Sequence, residues 1–108
     1  MGVFYHLPYP LLGLDIAARK TRKLLLFQSL TFPDREAEVQ ITDPAMNLAG
    51  LGKREELARP GWPRMAFIEG TFAGDPTNWW IPNRSGVQSM LRSSGLKVVA
   101  EPGDEIFL

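Results

Sequence analysis

Residues 78–100 read Asn-Trp-Trp-Ile-Pro-Asn-Arg-Ser-Gly-Val-Gln-Ser-Met-Leu-Arg-Ser-Ser-Gly-Leu-Lys-Val-Val-Ala, and no other stretch limits the fold as tightly. Pro82 and Asn83 stand just ahead of an apolar period. Asn83 is a favoured helix N-cap, because its side-chain oxygen accepts from an otherwise orphaned backbone N–H. Val87, Met90 and Leu91 follow at i, i+3 and i+4, which is one face of a helix over Arg84–Ser94. Gly95 stands where the chain needs a left-handed residue to stop that helix. Leu96–Ala100 is short, apolar and β-branched, the pattern of a buried strand. Pro102-Gly103-Asp104 reads as a tight turn and Glu105–Leu108 as a returning strand. A helix followed by a hairpin needs a sheet to join.

The length of 108 residues suits one small domain with one core. Apolar residues make up 44% and charged ones 22%, which excludes disorder of the whole chain. Lys plus Arg and Asp plus Glu number 12 each, so the net charge is zero and the field of a general nucleic-acid binder is missing. There is no cysteine, so disulfides and thiolate metal sites are excluded and the cytoplasm is the default compartment. No apolar run reaches the ~18 residues of a membrane span. No Cys/His metal set, phosphate loop or GxSxG nucleophile turn is present, so no metal is expected.

Val3, Phe4 and Tyr5 are β-prone, and His6-Leu7-Pro8-Tyr9-Pro10 breaks that strand by removing backbone donors. A strand so close to the start suggests a fragment, a truncated reading frame or a partner-dependent chain. Leu11–Lys20 reads as a helix, with Leu11, Leu14 and Ala18 on one face, Pro10 suited to its first position and Arg19 and Lys20 to its negative end. Leu24-Leu25-Leu26-Phe27 opens an unalternating apolar strand over Leu24–Leu30, expected to be buried on both faces. Strand, helix and strand make a βαβ unit, with parallel strands and a right-handed crossover. Residues 33–63 read as an irregular insertion in a single domain over 1–108. Within it Val39-Gln40-Ile41 alternates briefly as a short strand, and Gly50-Leu51-Gly52 interrupts two helix-like scraps. Met65–Phe72 returns to an extended apolar pattern containing Glu69.

These motifs resemble a family. Gly2-Val-Phe-Tyr-His-Leu7 followed by Pro10-Leu-Leu-Gly-Leu-Asp15 is similar to the end of strand four and the next helix of class I S-adenosylmethionine-dependent methyltransferases. The likeness is greatest to relatives of the tRNA wobble-uridine carboxymethyltransferases. Pro63-Arg-Met-Ala-Phe-Ile-Glu69 and Gly74-Asp-Pro-Thr-Asn-Trp-Trp-Ile-Pro-Asn-Arg84 resemble a bacterial subgroup of those relatives. The resemblance implies an α/β, partial Rossmann-like fold: the second half of a seven-stranded, mostly parallel sheet. Val3–Tyr5 and Leu24–Leu30 would be its two parallel strands, and Leu96–Ala100 with Glu105–Leu108 its closing antiparallel hairpin. The family's Gly-rich turn after strand one and its acidic residue after strand two have no counterpart here. Those groups let the backbone approach the nucleoside and hold the ribose hydroxyls. S-adenosylmethionine is thus the parent family's cofactor, and none is expected to bind this chain alone.

His6, the one histidine, lies beyond the carboxyl end of the first strand, where open α/β sheets place ligands. An imidazole is suited to take a proton from an accepting hydroxyl or amine, or it is simply a turn histidine tied to the backbone. Tyr5 and Tyr9 line the same pocket or pack under the helix. Gln28 and Ser29 end the second strand at the same sheet edge. Trp79 and Trp80 point to opposite faces if extended, one to the core and one as a platform for a planar ligand. Arg84 joins Tyr5, Gln28, Trp79 and Trp80 as a candidate substrate contact. It or Arg64 is also the expected ion-pair partner of Glu69, whose charge is costly in an apolar segment.

Two functions compete. One is the substrate-side half of a methyltransferase, inactive alone, whose parent chemistry is in-line methyl transfer governed by positioning. The other is a non-catalytic dimeric module that binds a small planar ligand or a partner protein through its aromatic loop. A homodimer is expected in either case, because an interior strand cut from its sheet leaves an apolar edge to cover.

Overall fold

The computed structural model describes residues 3–34 and 51–101. Helix α1 covers Pro10–Lys20 and α2 covers Arg84–Ser93. Strands β1, Met65–Phe67, and β2, Trp80–Pro82, form a two-stranded antiparallel sheet. Its register pairs Met65 with Pro82, Ala66 with Ile81 and Phe67 with Trp80. The protein is thus mixed α/β.

Local chemistry explains both helices. Pro10 opens α1, where its missing N–H costs nothing, and Arg19 and Lys20 sit in the last turn against the negative helix end. Asn83 caps α2, its side-chain oxygen accepting from Gly86 N at 2.8 Å. At the other end Gly95 has φ +86°, and the N–H of Leu96 reaches back to the Leu91 carbonyl at 3.0 Å. Beyond it the chain doubles back along α2, because Glu101 accepts from both Arg84 and Gln88.

The sheet differs from expectation. Among the described residues no parallel strand pair is found. Val3–Tyr5 is not a strand: Phe4–His6 is a 3-10 turn closed by His6 N to Val3 O at 3.0 Å and Leu7 N to Phe4 O at 3.1 Å. The chain must swing between Phe4 and Pro10, the proline that starts α1, and Pro8 lacks the donor a strand ladder would use. Segment 24–30 carries no strand assignment, and its burial alternates, with Leu25, Phe27 and Ser29 half-buried and Leu24, Leu26, Gln28 and Leu30 exposed. The expectation of burial on both faces fails for that reason. Segment 96–100 is likewise not a strand. The returning strand Glu105–Leu108, the short strand at Val39–Ile41 and most of the proposed insertion lie outside the described residues. The part of that insertion in view contains a 3-10 helix over Leu51–Ala58.

Among the described residues Phe4, Leu14 and Ile81 are the buried hydrophobic ones. Phe4 meets Phe27 edge-on with ring centroids 5.4 Å apart, so the first turn and segment 24–30 lie side by side, joined by α1. Among the described residues no helix is long and apolar enough to cross a membrane.

Candidate functional site

The 3-10 turn and the loop before β2 meet through one backbone bond, Trp79 N to Tyr5 O at 2.9 Å. That bond sets residues 5 and 6 beside residues 75–80, which are far away in sequence. The loop is held by a tight turn. Phe72 and Asp75 exchange both backbone bonds, at 3.2 and 3.0 Å, and the residues between them, Ala73 and Gly74, have φ of 52° and 76°. Two positive φ values in sequence are what a type I′ turn demands. Asp75 then fixes the next residues. Its Oδ1 accepts from Thr77 N at 2.8 Å and from Thr77 Oγ1 at 2.5 Å, an Asx turn closed twice.

His6 docks on this turn. Its Nδ1 lies 3.0 Å from Thr77 Oγ1 and 3.1 Å from the Thr77 carbonyl oxygen, and 3.9 Å from Asp75 Oδ2. The ring of Tyr5 packs on the imidazole at a centroid distance of 4.3 Å. Asp75 is held below the usual carboxylate range, first by the Thr77 hydroxyl, then by the Thr77 N–H, with His6 contributing through its charge. Deeper in, Asn78 is buried and donates to Phe72 O at 3.1 Å. Its Oδ1 is the one buried side-chain polar atom without a hydrogen-bond partner among the described residues.

Trp79 precedes β2 and Trp80 opens it. Trp80 is half-buried, packed against Phe67 with tilted rings and centroids 4.9 Å apart, and tied by Nε1 to Pro8 O at 3.3 Å. Trp79 keeps 39% of its surface exposed. Tyr9 is also exposed and Gln28 is exposed one residue past Phe27, while Ser29 bonds its hydroxyl to Leu30 O at 2.9 Å. Arg84 lies beyond the other end of β2 from Trp80 and pairs with Glu101. The structure therefore brings His6 and the Tyr5 ring to the Asp75–Thr77 turn, joins the Trp79 backbone to Tyr5, and leaves Arg84 at a different end.

Glu69 corrects an expectation. It is exposed, and the two arginines expected to pair with it are engaged elsewhere, Arg84 with Glu101 and Arg64 with Asp34 at 2.8 Å. An exposed carboxylate needs no partner, which removes the reason for the expected bridge.

A second polar cluster supports the site from below. Asn83, 1% exposed, accepts from Arg64 N at 3.0 Å and Gly86 N at 2.8 Å, and donates to Trp62 O at 2.7 Å and Asp34 Oδ2 at 3.0 Å. Its four side-chain bonding sites are filled. Asp34 also takes Arg64 Nε at 3.2 Å. The cluster locks β1, β2 and the start of α2 together, which fixes the frame from which the Trp79 loop projects.

Sequence reasoning missed Asp75 and Thr77. The Asp-Pro-Thr tripeptide is a legible turn signal, but nothing local points it at His6. Among the described residues no cluster of His, Asp or Glu could hold a metal. Of the Gly50-Leu51-Gly52 stretch, Gly50 lies outside the described residues, and Gly52 falls within the 3-10 helix Leu51–Ala58. No family model, curated protein or solved structure matches the chain.

Proposed function

We propose that this chain carries the acceptor side of a class I S-adenosylmethionine-dependent methyltransferase, similar to relatives of the tRNA wobble-uridine carboxymethyltransferases, and that it transfers nothing alone. One observation carries the reading: the Tyr5–His6 turn, which lies within the motif that resembles the end of strand four, is bonded to the Trp79 loop. In this reading the single imidazole, an aromatic platform at Trp79 and a rigid turn form one site. The contact between Phe4 and Phe27 supports the finer fold reading, since it sets the first turn and segment 24–30 next to each other with α1 between them in the chain. In that reading Val3–Tyr5 and Leu24–Leu30 become parallel strands of a partial Rossmann-like sheet once the remaining strands are supplied.

Within the site His6 is the proton acceptor, Tyr5 and Trp79 hold a planar group, and Trp80 holds the floor in place. Gln28 and Arg84 are peripheral. The donor's nucleoside is not held by this chain, and no step is derived through it. Calorimetric titration with S-adenosylmethionine tests this directly. The chain alone gives heats of dilution only, and saturable one-to-one binding overturns the division between acceptor and donor sides.

A second reading, a dimeric cytoplasmic module that binds a planar ligand or a partner protein without catalysis, is favoured by α1. Its Leu11, Leu12 and Ile16 are 49%, 59% and 47% exposed, large apolar side chains of the kind that interaction surfaces gather. Self-association through that helix covers it, and closed two-fold symmetry is the commonest form. Light scattering at micromolar concentration reads the mass of a homodimer; a monomer removes this reading.

A further inference from the structure

We propose that Asp75 and Thr77 are positioning residues for His6, and that the three together make Nε2 of His6 the proton acceptor for an O–H or N–H group of a bound molecule. The use of this site by a methyl acceptor rests on the proposed function; the state of the ring does not.

The hydrogen-bond network assigns the tautomer. Nδ1 faces the Thr77 carbonyl at 3.1 Å, an oxygen that only accepts. It also faces Thr77 Oγ1 at 3.0 Å. That hydroxyl has one proton, and the 2.5 Å contact to Asp75 Oδ1 takes it, because a carboxylate is the stronger acceptor. The hydroxyl oxygen is left with lone pairs toward Nδ1. Two acceptors therefore converge on Nδ1, so in the neutral ring the proton is there and Nε2 carries the lone pair. His6 is 33% exposed, so the ring is reached from solvent.

The proton balance is simple. The O–H or N–H bond of the bound molecule breaks, an Nε2–H bond forms, and the bonding pair stays on the molecule's oxygen or nitrogen. The ring becomes imidazolium, and its new charge faces Asp75 Oδ2, 3.9 Å from Nδ1. Asp75 is already held ionised below the ordinary carboxylate range, so it is charged when needed. The ring is held through Nδ1 by the two Thr77 oxygens and packs against the tilted Tyr5 ring at 4.3 Å.

The single histidine makes the test clean. Long-range 1H–15N correlation on the full chain, at a pH where the ring is neutral, reads the tautomer without assignment. The wild type should show mainly the Nδ1–H form. Thr77→Val should lower the ratio of Nδ1–H to Nε2–H roughly fivefold, the effect of one hydrogen bond, with the carbonyl contact retaining the rest. Asp75→Asn should move it the same way by less, and Thr77→Ser, which keeps the hydroxyl, should restore the wild-type ratio. Diethyl pyrocarbonate, which acylates the nitrogen bearing the lone pair, should label Nε2 in the wild type, more slowly in Thr77→Val. A wild type in the Nε2–H form, a ratio unmoved by both Thr77→Val and Asp75→Asn, or labelling at Nδ1 would each overturn the proposal. No methyl donor enters these measurements, so failure of the methyltransferase reading leaves them unchanged.

Discussion

Asn83 Nδ2 donates to Asp34 Oδ2 at 3.0 Å across 49 residues of sequence, and this contact turns a helix cap into a joint of the whole fold. An ordinary N-cap satisfies one or two backbone groups of its own helix. Asn83 does so, and also holds Arg64 N of the approach to β1 and Trp62 O. The aromatic loop enters β2 from this frame, so the accuracy of the His6 site depends on a residue far from it in chemistry.

Replacing Asn83 by Ala should therefore cost more than a cap. The cap alone accounts for about 1 kcal/mol, and leaving buried partners unsatisfied adds about 1–3 kcal/mol. Urea denaturation should show a loss of about 2–4 kcal/mol with an unchanged m-value. Asn83→Asp keeps the acceptor for Gly86 N but loses both donors and sets a carboxylate against Asp34. It should fail to restore the wild-type midpoint.

Gly86 gives a prediction of unusual sign. Within a helix, Gly→Ala normally stabilises by about 1 kcal/mol. Here a Cβ would lie 2.8 Å from both the Arg64 carbonyl oxygen and Asn83 Oδ1. Both are fixed by the buried network, so Gly86→Ala should instead destabilise by about 1–3 kcal/mol, read as a lower melting temperature.

The turn at Ala73 offers the opposite case. Its φ of 52° is a conformation that alanine adopts at a cost, and Gly74 beside it is already suited to positive φ. Ala73→Asn creates Asn-Gly, the preferred type I′ pair. It should stabilise the protein by about 0.5–1 kcal/mol and leave the His6 tautomer unchanged, since the Asx turn at Asp75 is untouched.

Acid should release the segment after Gly95 from α2. The Glu101 carboxyl is held below the ordinary glutamate value, first by the hydrogen bond from Gln88 and then by Arg84. A depressed folded value means that the contribution to stability is present above the unfolded glutamate value and is lost as pH falls through the folded one. Exposure keeps this contribution small. Amide shifts of residues 96–101 should move together as the pH drops below the usual glutamate range, and Glu101→Gln should flatten that response.

The two helices were legible because their signals are local. Pro10, Asn83 and Gly95 each dictate backbone behaviour within one turn of themselves, and the structure puts each where that behaviour is needed. The strand expectations at Val3–Tyr5 and Leu96–Ala100 failed because β-propensity is a preference for a pleated neighbour, and the neighbour is not specified by the segment itself. With Pro8 and Pro10 close behind, Phe4–His6 closes on itself as a 3-10 turn. The polar contacts were hidden by distance: His6 and Thr77 are 71 residues apart and Arg64 and Asp34 are 30 apart. Glu69 misled because an apolar neighbourhood in sequence was taken for burial, and the side chain is exposed. His6, Tyr5 and Trp79 were legible as candidates from residue type and position. Asp75, which sets the state of the ring, was not.

The most direct measurement is a titration of S-adenosylmethionine into a one-to-one mixture of this chain with the Gly-rich first half of a methyltransferase from the resembled group, followed by calorimetry and compared with each component alone. If this chain is an acceptor side, the mixture binds the donor saturably, while this chain alone gives only dilution heat. A mixture that behaves as the sum of its parts, or saturable binding by this chain on its own, would contradict it.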